Sequence, residues 1–252
     1  MLKILTLLLG LAATLIAAAL PTQSIVKISV TSSIPNYQYP WENGKIENSS
    51  GSGIIINDQT ILTSAHVVQN AKFIYVRTIN NPKKYRAYVK YISHQADLAI
   101  LSVPDKIFFE KTKPLKFTTS AKLGDTITVL GFPIGGDGLS TTKGIISRIE
   151  RNIYAQSAET MLLFQVDAAV NPGNSGGAAI NQNGEVVGVV MQQLVKANNI
   201  AYLVPSLIVN TFLEDIKDER VDGFDNSETR IQSLSNDTLK EYYGITHHQG
   251  VI

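Results

Sequence analysis

The chain has 252 residues and carries 22 Lys and Arg against 21 Asp and Glu, a formal net charge of +1. So even a balance gives no support to nucleic acid or an anionic membrane surface as the partner. It has no cysteine, which excludes disulfides as staples and leaves packing to hold the fold.

Lys3 precedes an apolar run from Ile4 to Leu20 that is broken only by Thr6, Gly10 and Thr14, and Ala17-Ala18-Ala19 supplies an A-x-A pattern. This stretch, residues 1–20, reads as a secretory signal peptide cut near Ala19, which directs the mature chain to a bacterial periplasm or outside the cell. An uncleaved membrane anchor is the alternative, since about 17 apolar residues is the lower limit for a span. With the leader cleaved there is no stable membrane insertion.

From Ile25 onward the sequence reads as short strands, β-branched, often alternating, and separated by turn residues. They are expected over 25–30, 53–56, 73–77, 86–92 and 98–103, then over 126–130, 141–149, 161–166, 177–180, 186–193 and 200–204. Residues 104–115 link the two sets. Asn183-Gly184 between two apolar runs predicts a hairpin turn. Asn36–Trp41 is aromatic and reads either as a loop covering the sheet or as a subunit contact. One helix is expected after Pro205, with Ser206 as N-cap and Ile208, Phe212 and Ile216 on one apolar face. A polar stretch over 214–230 then looks like linker. No internal repeat is visible.

The chemistry is concentrated in Gly173-Asn174-Ser175-Gly176-Gly177. A serine hydroxyl needs a base within hydrogen-bond reach to act as a nucleophile. It also needs N–H groups aimed at the oxyanion it creates. Glycines on both sides permit the sharp turn that points the Gly173 and Ser175 N–H groups at one spot, with the Asn174 N–H nearby. The base candidate is His66 in Thr-Ser-Ala-His-Val, and the acid that would hold its tautomer is Asp97 in Asp-Leu-Ala-Ile-Leu. The chain order His, Asp, Ser is that of chymotrypsin-type enzymes.

Those stretches, together with Asp167-Ala-Ala-Val-Asn-Pro-Gly-Asn-Ser-Gly-Gly177, resemble the Deg/HtrA family of trypsin-fold serine proteases. Val129–Gly136, Thr142–Arg148, Gly188-Val-Val and Ile200–Pro205 fit the same pattern. The resemblance covers roughly residues 24 to 220. It implies an all-β fold of two six-stranded antiparallel β-barrels with a C-terminal helix. It also implies ATP-independent endopeptidase activity on unfolded or damaged proteins through a His66–Asp97–Ser175 triad and an acyl-enzyme, with no cofactor. Trimerisation through the N-terminal aromatic residues is implied as well. The expected organisation is a protease domain over 21–220, with barrels at about 21–105 and 116–205, then linker and a truncated PDZ-like start over 221–252. Ala178 stands where the family usually has proline.

The resemblance implies Val170 and Leu194 as walls of the specificity pocket, with Ala169 beside them. Ala169 lies six residues before Ser175, where enzymes that cut after Lys or Arg place an acid, so a small or medium aliphatic P1 residue is favoured. Asp167 reads as a buried or loop-stabilising carboxylate. Asn174 stands where zymogen-activated trypsin-like enzymes have an aspartate; an amide cannot pair with a freed N-terminal ammonium, so activation by N-terminal cleavage is not expected. The resemblance implies loop ordering as the switch, and Gly135–Gly138 reads either as one such mobile loop or as a plain surface turn. His94 is expected to face solvent, and His247-His248 lack partners at metal-ligand spacing. Two rivals stand beside this reading. Gly173–Gly177 also satisfies the G-x-S-x-G elbow of α/β-hydrolases, with Asp215 or Asp218 and His247 following in order. The barrels alone also suit an inactive holdase for unfolded chains.

Overall fold

The computed structural model describes residues 20–42, 44–154, 159–193, 200–224 and 236–245. The leader, Leu194 and His247-His248 lie outside the described residues. Among the described residues no helix is long and apolar enough to cross a membrane.

Twelve strands form two closed, six-stranded antiparallel barrels. The first contains β1 (Ile25–Ile34), β2 (Lys45–Ile55), β3 (Thr60–Thr63), β4 (Ala71–Thr78), β5 (Tyr85–Ser93) and β6 (Leu98–Ser102). The second contains β7 (Thr126–Gly131), β8 (Ser140–Ile153), β9 (Thr160–Val166), β10 (Ala178–Ile180), β11 (Val186–Gln193) and β12 (Ala201–Pro205). The first closes in the order β1-β2-β3-β6-β5-β4, and the second repeats that order six strands later. The topology is duplicated although the sequence shows no repeat.

Period two explains where the apolar side chains go. On β2, β3 and β6 successive residues point to opposite faces. Ile55, Ile61, Ala99 and Leu101 enter the first barrel, where they meet Val26, Ile28 and Val76. Their neighbours Ile54, Leu62, Leu98 and Ile100 point outward and meet Leu130, Phe132, Tyr154, Val189 and Met191 of the second barrel. Strands buried on both faces read as continuous apolar runs, as Leu98-Ala-Ile-Leu101 does. Ile127, Val129, Ile146, Val166 and Leu203 fill the second barrel. The result is three cores, with the middle one joining the barrels.

The strands fall near where the pattern predicts, β1 and β8 each running four residues past their expected ends, and two differ more. β3 was not expected; its four residues Thr60–Thr63 are too short to show a period. β2 begins eight residues before the expected 53, because Lys45–Ser52 pairs with Lys27–Ile34 in unbroken register. The hairpin at Asn183-Gly184 forms as predicted, with Gly184 at φ 78° and the Asn181 N–H donating to the Glu185 carbonyl.

The helix α2 (Ser206–Asp215) has Pro205 as its N-cap residue. Ser206 is not the cap: its hydroxyl donates instead to the Val186 carbonyl at 2.7 Å, which fastens the helix start to β11. Val209 and Phe212 are its fully buried apolar residues, while Ile208 and, just beyond the helix, Ile216 pack only partly. The expected linker is tied down over its first part. The Asp215 carboxylate accepts from the Asp222 and Gly223 N–H groups, and Phe224 exchanges two hydrogen bonds with the Gln95 side chain of the first barrel. Beyond it, α3 (Asp237–Tyr242) starts on an Asn236 cap.

Candidate active site

His66 stands on α1 (Ala65–Val68), a single helical turn that follows β3 directly. Val67 and Val68 bury themselves in the first barrel and so fix which way the turn presents its histidine. Asp97 ends the turn between β5 and β6, in the left-handed region at φ 55°. Aspartate tolerates that region better than most residues. The Asp97 carbonyl accepts from the Ala65 N–H at 3.0 Å, and its carboxylate accepts from the His66 N–H at 2.9 Å. The two turns are therefore laced together before the imidazole is considered. The Nδ1 of His66 then lies 2.7 Å from Asp97 Oδ2 and 3.0 Å from Oδ1. With the carboxylate accepting, Nδ1 carries the proton and Nε2 is left with its lone pair free. Asp97 is 1% exposed, and the second barrel covers it.

Part of that cover is Tyr154, which follows β8 and is 1% exposed. Its hydroxyl lies 3.4 Å from His66 Nδ1. Burial, reinforced by the facing Asp97 carboxylate, pushes the phenol well above its ordinary range. It is a neutral group at any working pH. Nothing in the sequence around Tyr154 signals this position.

Ser175 sits in the connection from β9 to β10. Gly173 is at φ 99° and Gly176 at φ 81°. A Cβ at Gly176 would fall 2.2 Å from the Ser52 carbonyl and from Thr63 Oγ1. Glycine is required there twice, for the dihedral and for the approach of the two barrels. The turn is clamped against the His66 side: the Ser52 N–H donates to the Ser175 carbonyl at 2.8 Å, and the Ser64 hydroxyl to the Val190 carbonyl at 3.1 Å. The His66–Asp97 pair and the serine turn thus lie on adjoining walls of one barrel interface. The Ser175 hydroxyl itself donates to the Met191 carbonyl at 3.0 Å and makes no hydrogen bond to His66.

Among the described residues, the Gly173 and Ser175 N–H groups have no hydrogen-bond partner, so both are open donors. The Asn174 N–H, expected beside them, is instead taken by the Asn171 carbonyl at 3.0 Å. The Asn174 side chain is 2% exposed and its Oδ1 has no partner among the described residues. Ala169 is exposed, with its carbonyl accepting from the Thr142 hydroxyl. Val170 packs into the core of the second barrel. Asp167 is exposed rather than buried and accepts from the Ile145 N–H at 2.7 Å, so it stabilises the loop. His94 faces solvent.

The loop Gly135–Gly138, expected to be mobile, is held from the first barrel. Asp137 pairs with Lys27 at 2.8 Å and with Arg77 at 2.9 Å, and Lys27 also donates to the Gly136 carbonyl. The aromatic residues Tyr37, Tyr39 and Trp41 are exposed and do not cover the barrel. The α/β-hydrolase rival fails on local structure: β10 and β11 follow Ser175 where that elbow needs a long helix.

Comparison with known proteins agrees with the fold. Residues 51–189 match the family model described as a trypsin-like peptidase domain. The chain is 39% identical to Protease Do-like 4, mitochondrial, of Arabidopsis thaliana over 87% of its own length, and spans 42% of that relative. It is 28% identical to the active form of the Rv3671c protease from M. tuberculosis, with a TM-score of 0.64, covering 78% of this chain and 82% of that one. The HtrA-type protease AlgW shares the fold with a TM-score of 0.67 at 23% identity, over 92% of this chain and 75% of that one. The chain belongs to the trypsin-like peptidase family, in its Deg/HtrA (Do-like) branch.

Proposed function

We propose that this chain is a serine endopeptidase that cleaves unfolded polypeptides through Ser175, His66 and Asp97, without ATP or a cofactor. The observation that carries the reading is the His66–Asp97 pair, bonded at 2.7 Å, walled by the turn that holds Ser175 and two open N–H donors. A rotation about the Ser175 Cα–Cβ bond takes the hydroxyl from the Met191 carbonyl toward His66 Nε2. Nε2 removes the proton as Oγ attacks the scissile carbonyl, and the Gly173 and Ser175 N–H groups receive the oxyanion. His66 then returns the proton to the leaving amine. Water repeats the sequence on the acyl-enzyme. Asp97 holds the imidazole tautomer and faces the imidazolium as it forms.

Ala169 offers no charge to a basic P1 side chain, which supports small or medium aliphatic residues there. The exposed Tyr37, Tyr39 and Trp41 suit a trimer contact, and a sedimentation mass of one subunit at micromolar concentration would count against it. The export reading rests on residues 1–20; the sequence of the secreted protein's N-terminus tests it.

Casein digestion and labelling by a fluorophosphonate test the central reading. Both are expected in the parent chain and absent in Ser175→Ala with its melting temperature unchanged. Digestion that survives in Ser175→Ala would remove the serine mechanism. A folded parent that binds casein without labelling would make the chain a holdase.

A further inference from the structure

Ser52 lies near the end of β2, flanked by Gly51 and Gly53, and is fully buried between the barrels. Every polar atom it has is used. Its hydroxyl accepts from the Phe132 N–H at 2.8 Å and donates to the Gly173 carbonyl at 2.8 Å. Its N–H donates to the Ser175 carbonyl at 2.8 Å, and its carbonyl accepts from the Thr63 hydroxyl at 2.7 Å. A lone hydroxyl in an apolar interface is costly unless paired on both sides, and this one is.

The four consecutive carbonyls from Pro172 to Ser175 are all anchored. Pro172 accepts from Ile134 at 2.7 Å, Gly173 from Ser52 Oγ, Asn174 from Gly177 at 2.9 Å, and Ser175 from Ser52 N. Two of the four anchors belong to one residue of the other barrel. The same hydroxyl holds Phe132, and Phe132 leads by one proline to Ile134, which holds a third. The Gly173 and Ser175 N–H groups lie in the peptide planes of the Pro172 and Asn174 carbonyls, which Ile134 and Gly177 hold. The Ser52 hydroxyl fixes the plane between these two and, through Phe132, the approach of Ile134, so it bears on the aim of both donors from the shared neighbour. Gly173, at φ 99°, has no Cβ to resist a flip of the peptide beside it.

We propose that Ser52 is a positioning residue for the oxyanion hole, through which the first barrel sets the direction of the Gly173 and Ser175 N–H donors. This rests on the reading of Ser175 as nucleophile. Replacing the hydroxyl leaves the Phe132 N–H and the Gly173 carbonyl unpaired and frees the middle peptide.

The test uses the full chain as parent, Ser52→Ala and Ser52→Cys, with active sites counted by fluorophosphonate titration. The expected result in Ser52→Ala is a fall in kcat per site of about 10- to 100-fold, below the roughly 10²–10³ for losing a donor outright. KM for a fluorogenic peptide stays within about twofold. Affinity for a peptidyl boronic acid, whose tetrahedral adduct occupies the hole, falls by about the same factor as kcat. Cysteine keeps the size but is a weak donor, so Ser52→Cys is expected to fall with it and carries the test if Ser52→Ala does not fold. A folded variant with kcat per site and boronate affinity within twofold of the parent overturns the role while leaving the Ser175 reading intact. Failure of both variants to fold overturns it too, since the hydroxyl then serves the whole fold. A parent that neither cleaves nor labels removes the Ser175 reading and the hole with it.

Discussion

The two halves of the site are built differently. The first barrel delivers His66 and Asp97 as a finished pair: two turns 31 residues apart exchange backbone and side-chain hydrogen bonds, and the imidazole is already paired. The second barrel delivers the Ser175 turn, whose backbone is fixed but whose hydroxyl rests on the Met191 carbonyl. The first half is held from within its own barrel. The second is held across the interface, by Ser52 and by the close approach at Gly176. The difference teaches that the site's weak side is the serine turn, because anything that separates the barrels disturbs it first.

The largest effect belongs to the completed half. Asp97→Asn keeps the shape, and asparagine tolerates the left-handed region as well as aspartate does. The amide removes the charge and permits the wrong imidazole tautomer, so kcat is expected to fall about 10⁴-fold, with the melting temperature nearly unchanged. Peptide hydrolysis beside a thermal melt measures both. A loss below tenfold would mean that the pair is structural.

The serine turn answers to a backbone change. Gly176→Ala forces a side chain to φ 81° and places its Cβ 2.2 Å from the Ser52 carbonyl. The expected cost exceeds about 2 kcal/mol, read as a lower urea midpoint, with activity lost in whatever fraction stays folded. Activity retained at wild-type stability would show that the barrels meet less tightly there.

Much of this was legible in the sequence, and the rest had physical reasons to be hidden. A long apolar run bounded by turn residues, such as Val186–Gln193, was placed to the residue. β3 was not, because four residues carry no period, yet it is the strand that leads into His66. The types His66, Asp97 and Ser175 stood out because each lies beside small residues, and the first two are paired in the structure. Ser52 and Tyr154 did not, because their roles come from partners 121 and 88 residues away and a serine between glycines or a tyrosine after a strand is unremarkable. Val170 looked like a pocket wall but faces inward, since side-chain direction in a loop follows no rule of spacing. The open loop Gly135–Gly138 proved clamped, because Lys27 and Arg77 lie on strands far from it in sequence.

Tyr154→Phe sharpens the comparison at the seam. The ring keeps its packing, and only the hydroxyl facing Asp97 is lost. One neutral hydrogen bond is worth about 1 kcal/mol, so kcat is expected to fall by roughly three- to tenfold. The phenol stays protonated well above its ordinary range, through burial first and then the facing Asp97, so it adds nothing to the alkaline limb of kcat/KM and that limb should be the same in the variant. A kcat equal to the parent's would leave Tyr154 as packing alone.

The smallest effect is expected at the Asp137 clamp, which lies on the surface. Lys27 first, then Arg77, lower the Asp137 carboxyl below its ordinary value of 3.8. A lowered carboxyl contributes its stabilisation in full above that ordinary value and loses it as pH falls through the depressed one. The clamp is therefore constant across the neutral range and opens only in acid below 3.8. Asp137→Asn should reduce kcat by less than about fivefold, since exposed ion pairs are weak and screened. Whatever effect it has should come through Ile134, whose N–H anchors the Pro172 carbonyl at 2.7 Å and so the Gly173 donor. Added salt should make the parent resemble the variant at neutral pH. If the variant equals the parent at low salt, the loop does not pass its tether on to the serine turn, and the cross-barrel hold rests on Ser52 and Gly176 alone.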